Sequence, residues 1–299
     1  MYLAAPRSME SHQTIAHICS KAFSIRSGRF YRHSEARWIQ RYKCKECGRN
    51  FSNATGTLEF RQKKRRVNLP LFRLLCAGVS MRRSAFLLDI DRRTVDRKLA
   101  YLAKKSRRNH AHFLAQIKGS VKSFEFDDLI TSEHTKMKPL SVSLAVDANR
   151  RFILGAKVGR IPAFGLIAEK SRQKYGRRNS EHRRTLTELF EEVAATVAPK
   201  ALIQSDEHTS YPEFVKKYLP GREHLRHPGG RGAIVGQGEL KKKVFDPIFT
   251  LNHSCAMLRA GINRLIRKTW CTTKRPDRLQ MHLDIFLDFY NRIYLPAHR

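Results

Sequence analysis

Acidic residues are scarce in this chain. Its 299 residues hold 26 Asp+Glu against 59 Lys+Arg, a formal net charge of +33. That imbalance argues against an ordinary cytosolic metabolic enzyme and for a polyanionic partner. Cysteine is scarce too, with six irregularly spaced residues. Those are too few for a disulfide scaffold and leave metal binding as the one cysteine function to test. No apolar run approaches the roughly 18–20 residues that span a bilayer. The opening residues lack the basic-then-apolar layout of a secretory signal, and no long amphipathic basic helix points to a membrane surface. A cytoplasmic, nucleoid-associated protein without a membrane partner is the expectation. Internal repeats and low-complexity tracts are also missing. Hydrophobic residues at 41% and aromatics at 9% suffice for a core, which excludes wholesale disorder.

What is abundant is positive charge, and it is uneven. Residues 1–110 carry 26 Lys+Arg and 7 Asp+Glu, or +19, which leaves +14 for the rest. The amino-terminal third is therefore the part best suited to nucleic acid. Three domains are expected: a zinc-ribbon-like module over 1–60, a helix-turn-helix over 61–112, and a catalytic domain over 113–299. In the first, Cys44-Lys45-Glu46-Cys47-Gly48 has the spacing of a zinc knuckle, in which Gly lets amides turn toward the thiolates. Cys19 occupies the place of a partner knuckle, but Ala22 stands where its second cysteine belongs. A Zn2+ site would then use Cys19, Cys44 and Cys47, with a histidine such as His17 or His33, or water, as fourth ligand. Arginines interleaved with Phe30, Tyr31, Trp38 and Tyr42 suit a two-stranded ribbon lying on phosphates, and would equally serve as that ribbon's own core.

After the basic run Arg61–Arg66, the spacing predicts three helices: Leu69 to Ala77 ended by Gly78, a second capped by Ser80, and a third from Arg92 to Ala103. Val95, Leu99 and Leu102 repeat at i, i+4 and i+7 on the third. Ala85 permits close packing, and Ile90 plugs the turn. Arg92, Arg93, Thr94, Arg97 and Lys98 are expected to face outward and enter a major groove. From Val121 onward strands take over. The order β-β-β-α-β-α-β-α implies an α/β fold with a ribonuclease-H-like core and a mixed five-stranded sheet. Such a sheet brings a first-strand carboxylate beside one at the end of the fourth strand. Two divalent ions across a scissile phosphate need oxygen ligands there. Asp127 and Asp206 are the candidates, although Asp206 could instead cap the helix that follows.

From Cys19 to Asn291 the chain resembles bacterial insertion-sequence transposases of the DDE superfamily. The resemblance rests on Arg41–Gly48 with Phe51-Ser52, on Phe126-Asp127-Asp128, on Ser205-Asp206-Glu207, and on Leu251-Asn252-His253 through Leu258-Arg259 and Arg264–Lys268. It implies metal-dependent cleavage and transfer of double-stranded DNA at terminal inverted repeats and target DNA, with Mg2+ or Mn2+ held by Asp127, Asp206 and Asn252. Arg259, seven positions on, would share that helical face, and a homo-oligomer would assemble on DNA. Asn252 stands where the family usually has a third carboxylate, so Glu239 or Asp246 are alternatives. An inactive or domesticated copy acting as a DNA-binding regulator is the competing reading.

Overall fold

The computed structural model describes residues 23–228, 246–266 and 271–298. Two compact units result, one up to residue 70 and one from residue 71 on. In the first, β1 (Ser24–Arg32) pairs antiparallel with β2 (Arg37–Cys44), and β3 (Asn50–Phe51) adds to β2. The expected two-stranded ribbon is thus a three-stranded sheet. Tyr42 stacks on Phe51 at 5.5 Å, whereas Trp38 stays 64% exposed. Glu35 holds the β1–β2 connection by pairing with Arg32, Arg37 and Arg65 at 3.1, 2.8 and 3.2 Å. Against burial, these guanidinium groups keep its carboxyl below the usual range.

The helix α1 (Asn68–Cys76) spans the boundary at residue 70, and α2 (Met81–Leu87) and α3 (Arg92–Gln116) follow in the second unit. Ser80 Oγ accepts the Arg83 amide at 3.3 Å, and Asp91 Oδ1 accepts the Arg93 amide at 2.7 Å, so both later helices carry side-chain caps. Ala85 and Ile90 are buried as the spacing requires. The third helix does not stop at Ala103. No Gly or Pro interrupts it, and Ser106, His110 and Leu114 extend its buried stripe. The domain boundary expected at 112 therefore falls inside a continuous helix, whose packing joins it to the sheet domain.

The sheet combines β4 (Val121–Ser132), β5 (Pro139–Asp147), β6 (Ile153–Arg160), β7 (Val197–Asp206) and β8 (His224–His227) in the order β6-β5-β4-β7-β8. β5 pairs antiparallel with both β4 and β6, and β7 and β8 run parallel to β4. This is the mixed five-stranded arrangement anticipated above. α4 (Ala168–Tyr175) and α5 (His182–Val193) precede β7, and α6 (Tyr211–Tyr218) precedes β8. α7 (Phe249–Gly261) and α8 (Pro276–Phe289) follow, the latter continuing as a π-helical turn over Tyr290–Tyr294. One face of the sheet buries Leu140, Val142 and Leu144 against α7 and α8. The other buries Phe124, Phe126 and Leu154 against α5, α6 and the end of α3. Two layers of helix thus enclose the sheet.

Two details differ from the sequence expectation. The carboxy-terminal helix expected from Phe249 to Lys268 ends as α7 at Gly261, where Ile262 turns extended, and a Cβ at Gly261 would come within 2.0 Å of the Phe286 ring. α8, which the sequence reading did not anticipate, anchors α3 through Arg107–Asp284 (2.6 Å) and Asn109–Asp288 (3.0 Å). It also covers edge strand β6. Gln280 bonds the Val158 amide and the Ala156 carbonyl, and beyond it Asn291 bonds both backbone groups of Ile153. These amides occupy hydrogen-bonding groups that an open edge would offer to another chain. Among the described residues, no helix is long and apolar enough to cross a membrane.

Within α8, His282 is buried beside Arg264 and Arg278, and its pKa is depressed to about 3 by burial and by these two cations. The unfolded chain takes up a proton near pH 6.5 that the folded chain refuses. Stability is thus fully present above pH 6.5 and is lost as pH falls toward 3, by at most about 1.4 kcal/mol per unit from this group. Denaturant unfolding of wild type and His282→Met between pH 7 and 4 should show a shallower acid limb in the variant. Parallel curves would contradict the assignment.

Candidate active site

Alternation along β4 puts Glu125 and Asp127 on one strand face and Phe124 and Phe126 on the other. Glu125 is 3% exposed and accepts the Leu251 amide of α7 at 2.8 Å. In the parallel β4–β7 register Glu125 lies opposite Gln204. Two residues further along, the same register sets Asp127 beside Asp206 at the carboxyl end of β7. Asp127 bears the consequence: burial and the Asp206 charge push its carboxyl up to about 7, with a smaller push from Asp128. Asp206 does not cap α6, which starts at Tyr211. Its Oδ1 instead accepts the His208 amide at 2.9 Å in a local turn.

The neighbouring Asp128 has a different environment. Ser141 Oγ and Ser143 Oγ donate to its Oδ1 at 2.5 and 2.7 Å, and its Oδ2 contacts His182 Nε2. Against burial, these partners hold its carboxyl below the usual range. Tyr211 joins the two acids: its hydroxyl reaches Asp128 Oδ2 at 2.8 Å and Asp127 Oδ1 at 3.2 Å. Burial and both carboxylates push the phenol far up, so it stays a donor. His208 lies against both rings, 4.8 Å from His182 and 5.0 Å from Tyr211 between centroids.

On α7, Asn252 is exposed, and its Nδ2 donates to Asp246 Oδ2 at 2.9 Å. Asp246 in turn lies within electrostatic reach of Glu125, whose carboxyl burial pushes up to about 7. Cys255 lies within reach of both Asp127 and Arg259. Its thiol is pushed up to about 12 by burial, which outweighs the opposing pull of Arg259. Glu239 lies outside the described residues. As a cation site, the place has hard oxygen donors in Asp127 and Asp206, whose repulsion a divalent ion relieves. Among the described residues no three His, Cys, Asp or Glu side chains converge as a ligand set. The fit therefore rests on the pair.

Sequence reasoning missed Glu125, Asp128, His182 and Tyr211. The period of two within Glu125-Phe126-Asp127 could have revealed the first. No local signal marks His182, which arrives from a separate helix. At the other end of the unit, Arg92, Arg93 and Arg97 are exposed on α3 and Thr94 is half-buried. Lys98 corrects the expectation. It is 6% exposed, because it stands three residues after Val95 on the buried stripe. In the first unit, Gly48 closes a tight turn onto the Cys44 carbonyl at 3.1 Å, with Cys44 buried and Cys47 exposed. His33 packs against Tyr31 at 5.0 Å. Cys19 and His17 lie outside the described residues.

No protein-family model matches the chain, and no curated protein matches it. Among solved structures it is similar to the Mos1 strand transfer complex, with 11% identity, a TM-score of 0.25, and coverage of 74% of this chain and 77% of that one.

The Tyr211 hydroxyl lowers the Asp127 pKa by hydrogen bonding, so Tyr211→Phe should raise it further and weaken cation binding. Calorimetric titration with Mn2+ should show about tenfold weaker binding if some 1.4 kcal/mol of donor stabilisation is lost. Unaltered affinity would remove Tyr211 from the site.

Proposed function

We propose that this chain is a DNA transposase that cleaves and joins strands with divalent cations held by Asp127 and Asp206. The observation carrying this reading is the pair of carboxylates brought together on adjacent parallel strands, one of them pushed up by burial and by the other's charge. The +33 net charge makes a polyanionic substrate natural. When bound, Mg2+ or Mn2+ would neutralise the scissile phosphate and activate the attacking water or 3′-hydroxyl. Tyr211 fixes Asp127 Oδ1, and Asp128, Ser141, Ser143 and His182 fix Tyr211 in turn. Arg259 supplies a cation for phosphate on α7.

For the third ligand, Asn252 and Asp246 act as one hydrogen-bonded unit. We assign the unit the ligand role, and substitutions divide it. The neutral amide turned toward Asp246 also favours a second reading, a DNA-binding regulator without catalysis. Exposed Arg92, Arg93 and Arg97, with Thr94, fit the base-reading end of a helix-turn-helix under either reading. Terminal inverted repeats, target DNA and a homo-oligomer on DNA belong to the proposal. So does Zn2+ on Cys19, Cys44 and Cys47, which elemental analysis of the purified protein would reveal or refute.

Nicking of DNA carrying the flanking repeats, assayed with Mg2+ or Mn2+, should fall at least a hundredfold in Asp127→Asn and Asp206→Asn, a loss of about 3 kcal/mol or more of transition-state stabilisation. Asn252→Asp should retain activity if its oxygen binds metal, while Asp246→Asn should be damaging if the carboxylate does. Wild-type activity in Asp206→Asn would end the mechanism. For Arg93→Ala and Arg97→Ala, competition binding should show lost discrimination between repeat and random duplex, by about 1–3 kcal/mol per base contact. Uniform weakening on both DNAs would place these residues on phosphates.

A further inference from the structure

Between β6 and α5 the chain makes an excursion over residues 161–180 that carries α4. Its base is tied, since the Glu181 amide donates to the Arg160 carbonyl at 2.8 Å and the Arg160 amide to Glu181 Oε2 at 2.7 Å. Its body is pinned to the β4–β5 corner. Arg178 donates to Glu133 Oε2 at 3.1 Å and to the Pro139 carbonyl at 3.3 Å, and Ser171 Oγ donates to the Met137 carbonyl at 2.6 Å. Lys138 sits over the Tyr175 ring at 4.4 Å. The lobe is thus preorganised, and the arrangement encloses a cleft of about 760 Å3.

The lining of that cleft is one-sided. Arg172, Arg177 and Arg178 contribute charge, Asn179 and Ser180 add polar groups, and Pro162 and Ala163 form an apolar wall. No carboxylate is among the described residues that line it, although Arg178 is already paired with Glu133 at 3.1 Å and Arg172 pairs at 3.6 Å with exposed Glu169, which leaves Arg172 and Arg177 as its exposed cations. Beside it Phe164 is 62% exposed and Leu166 fully exposed. Its position matters as well: Ser180 accepts the His182 amide at 3.3 Å, and His182 contacts Asp128, next to Asp127. A cationic groove with an exposed aromatic is the composition that binds unpaired nucleic acid, the backbone following the charge and a base stacking on the ring. The volume lies within the range of small-ligand sites, which suits a nucleotide or two and excludes a duplex.

We propose that this cleft holds a single-stranded DNA segment leading away from the Asp127–Asp206 pair, with Arg172 and Arg177 on its phosphates and Phe164 under a base. The proposal rests on DNA being the substrate and names which form of it meets this surface. The test uses the full chain without Mg2+ or Mn2+, so that no strand is cut. Fluorescence anisotropy would compare a blunt duplex with the same duplex bearing a single-stranded extension. Wild type should bind the extended DNA about tenfold more tightly. Arg172→Ala with Arg177→Ala should abolish that preference while leaving blunt-duplex affinity within about twofold. Phe164→Ala should reduce it about fivefold, equivalent to stacking of one base.

Lys170→Ala with Lys174→Ala removes equal charge from the same lobe outside the cleft lining and should leave the preference intact. Equal loss on both DNAs, the same loss in the lysine variant, or no preference in wild type would each overturn the proposal. Both arginines are exposed, so unchanged circular dichroism and melting temperature would confirm that the variant is folded. Metal-dependent nicking by the same wild-type preparation separates the two readings. A strand preference without nicking would keep the cleft and refute the catalytic assignment, and nicking without the preference would do the reverse.

Discussion

Two carboxylates on neighbouring parallel strands repel each other across a half-buried gap, and the candidate site is organised around that conflict. A carboxyl raised from 3.8 to about 7 by burial and by its neighbour's charge costs the folded chain on the order of 4 kcal/mol when ionised. Cooperative folding has to supply it. The parallel pairing of β4 with β7 fixes the two acids at that separation, and the crossover through α5 is what makes such a pairing topologically possible. Under the proposed function, a divalent cation between them would offset the repulsion, and the strain would become a source of affinity.

Asp127 and Asp128 show how adjacent residues of one type acquire opposite chemistry. Asp128 receives two serine hydroxyls, an imidazole and a phenol, and is held ionised. Asp127 receives one backbone amide, at 2.6 Å, and a share of the same phenol, and is pushed toward protonation. A fully satisfied buried network is rigid. Here that rigidity passes through Tyr211 to the acid that would bind metal.

The same economy appears in α3. Its first two turns display Arg92, Arg93 and Arg97, while its carboxy-terminal half is fixed to α8 through Asp284 and Asp288. Because the helix is unbroken, the arginine face and the sheet belong to one rigid element, so DNA docking would be geometrically tied to the acids.

Much of this was legible in the sequence. Period-two apolar runs marked the strands, capping by Ser80 matched the start of α2, and Asp127 and Asp206 stood on the strands that the topology sets side by side. The charge balance alone pointed to a polyanion. Folding decided the rest. Lys98 lies on a buried stripe that its charge conceals, and α8 was hidden in a segment whose caps are weak. Asn252 shares a helical period with Arg259, yet its amide turns to Asp246, because partners set side-chain direction as strongly as spacing does. His182 and Tyr211 reach Asp128 from separate helices. Sequence records local periodicity and residue type. Which distant groups share a buried charge is fixed only when burial removes water and leaves each ion the partners that the fold supplies.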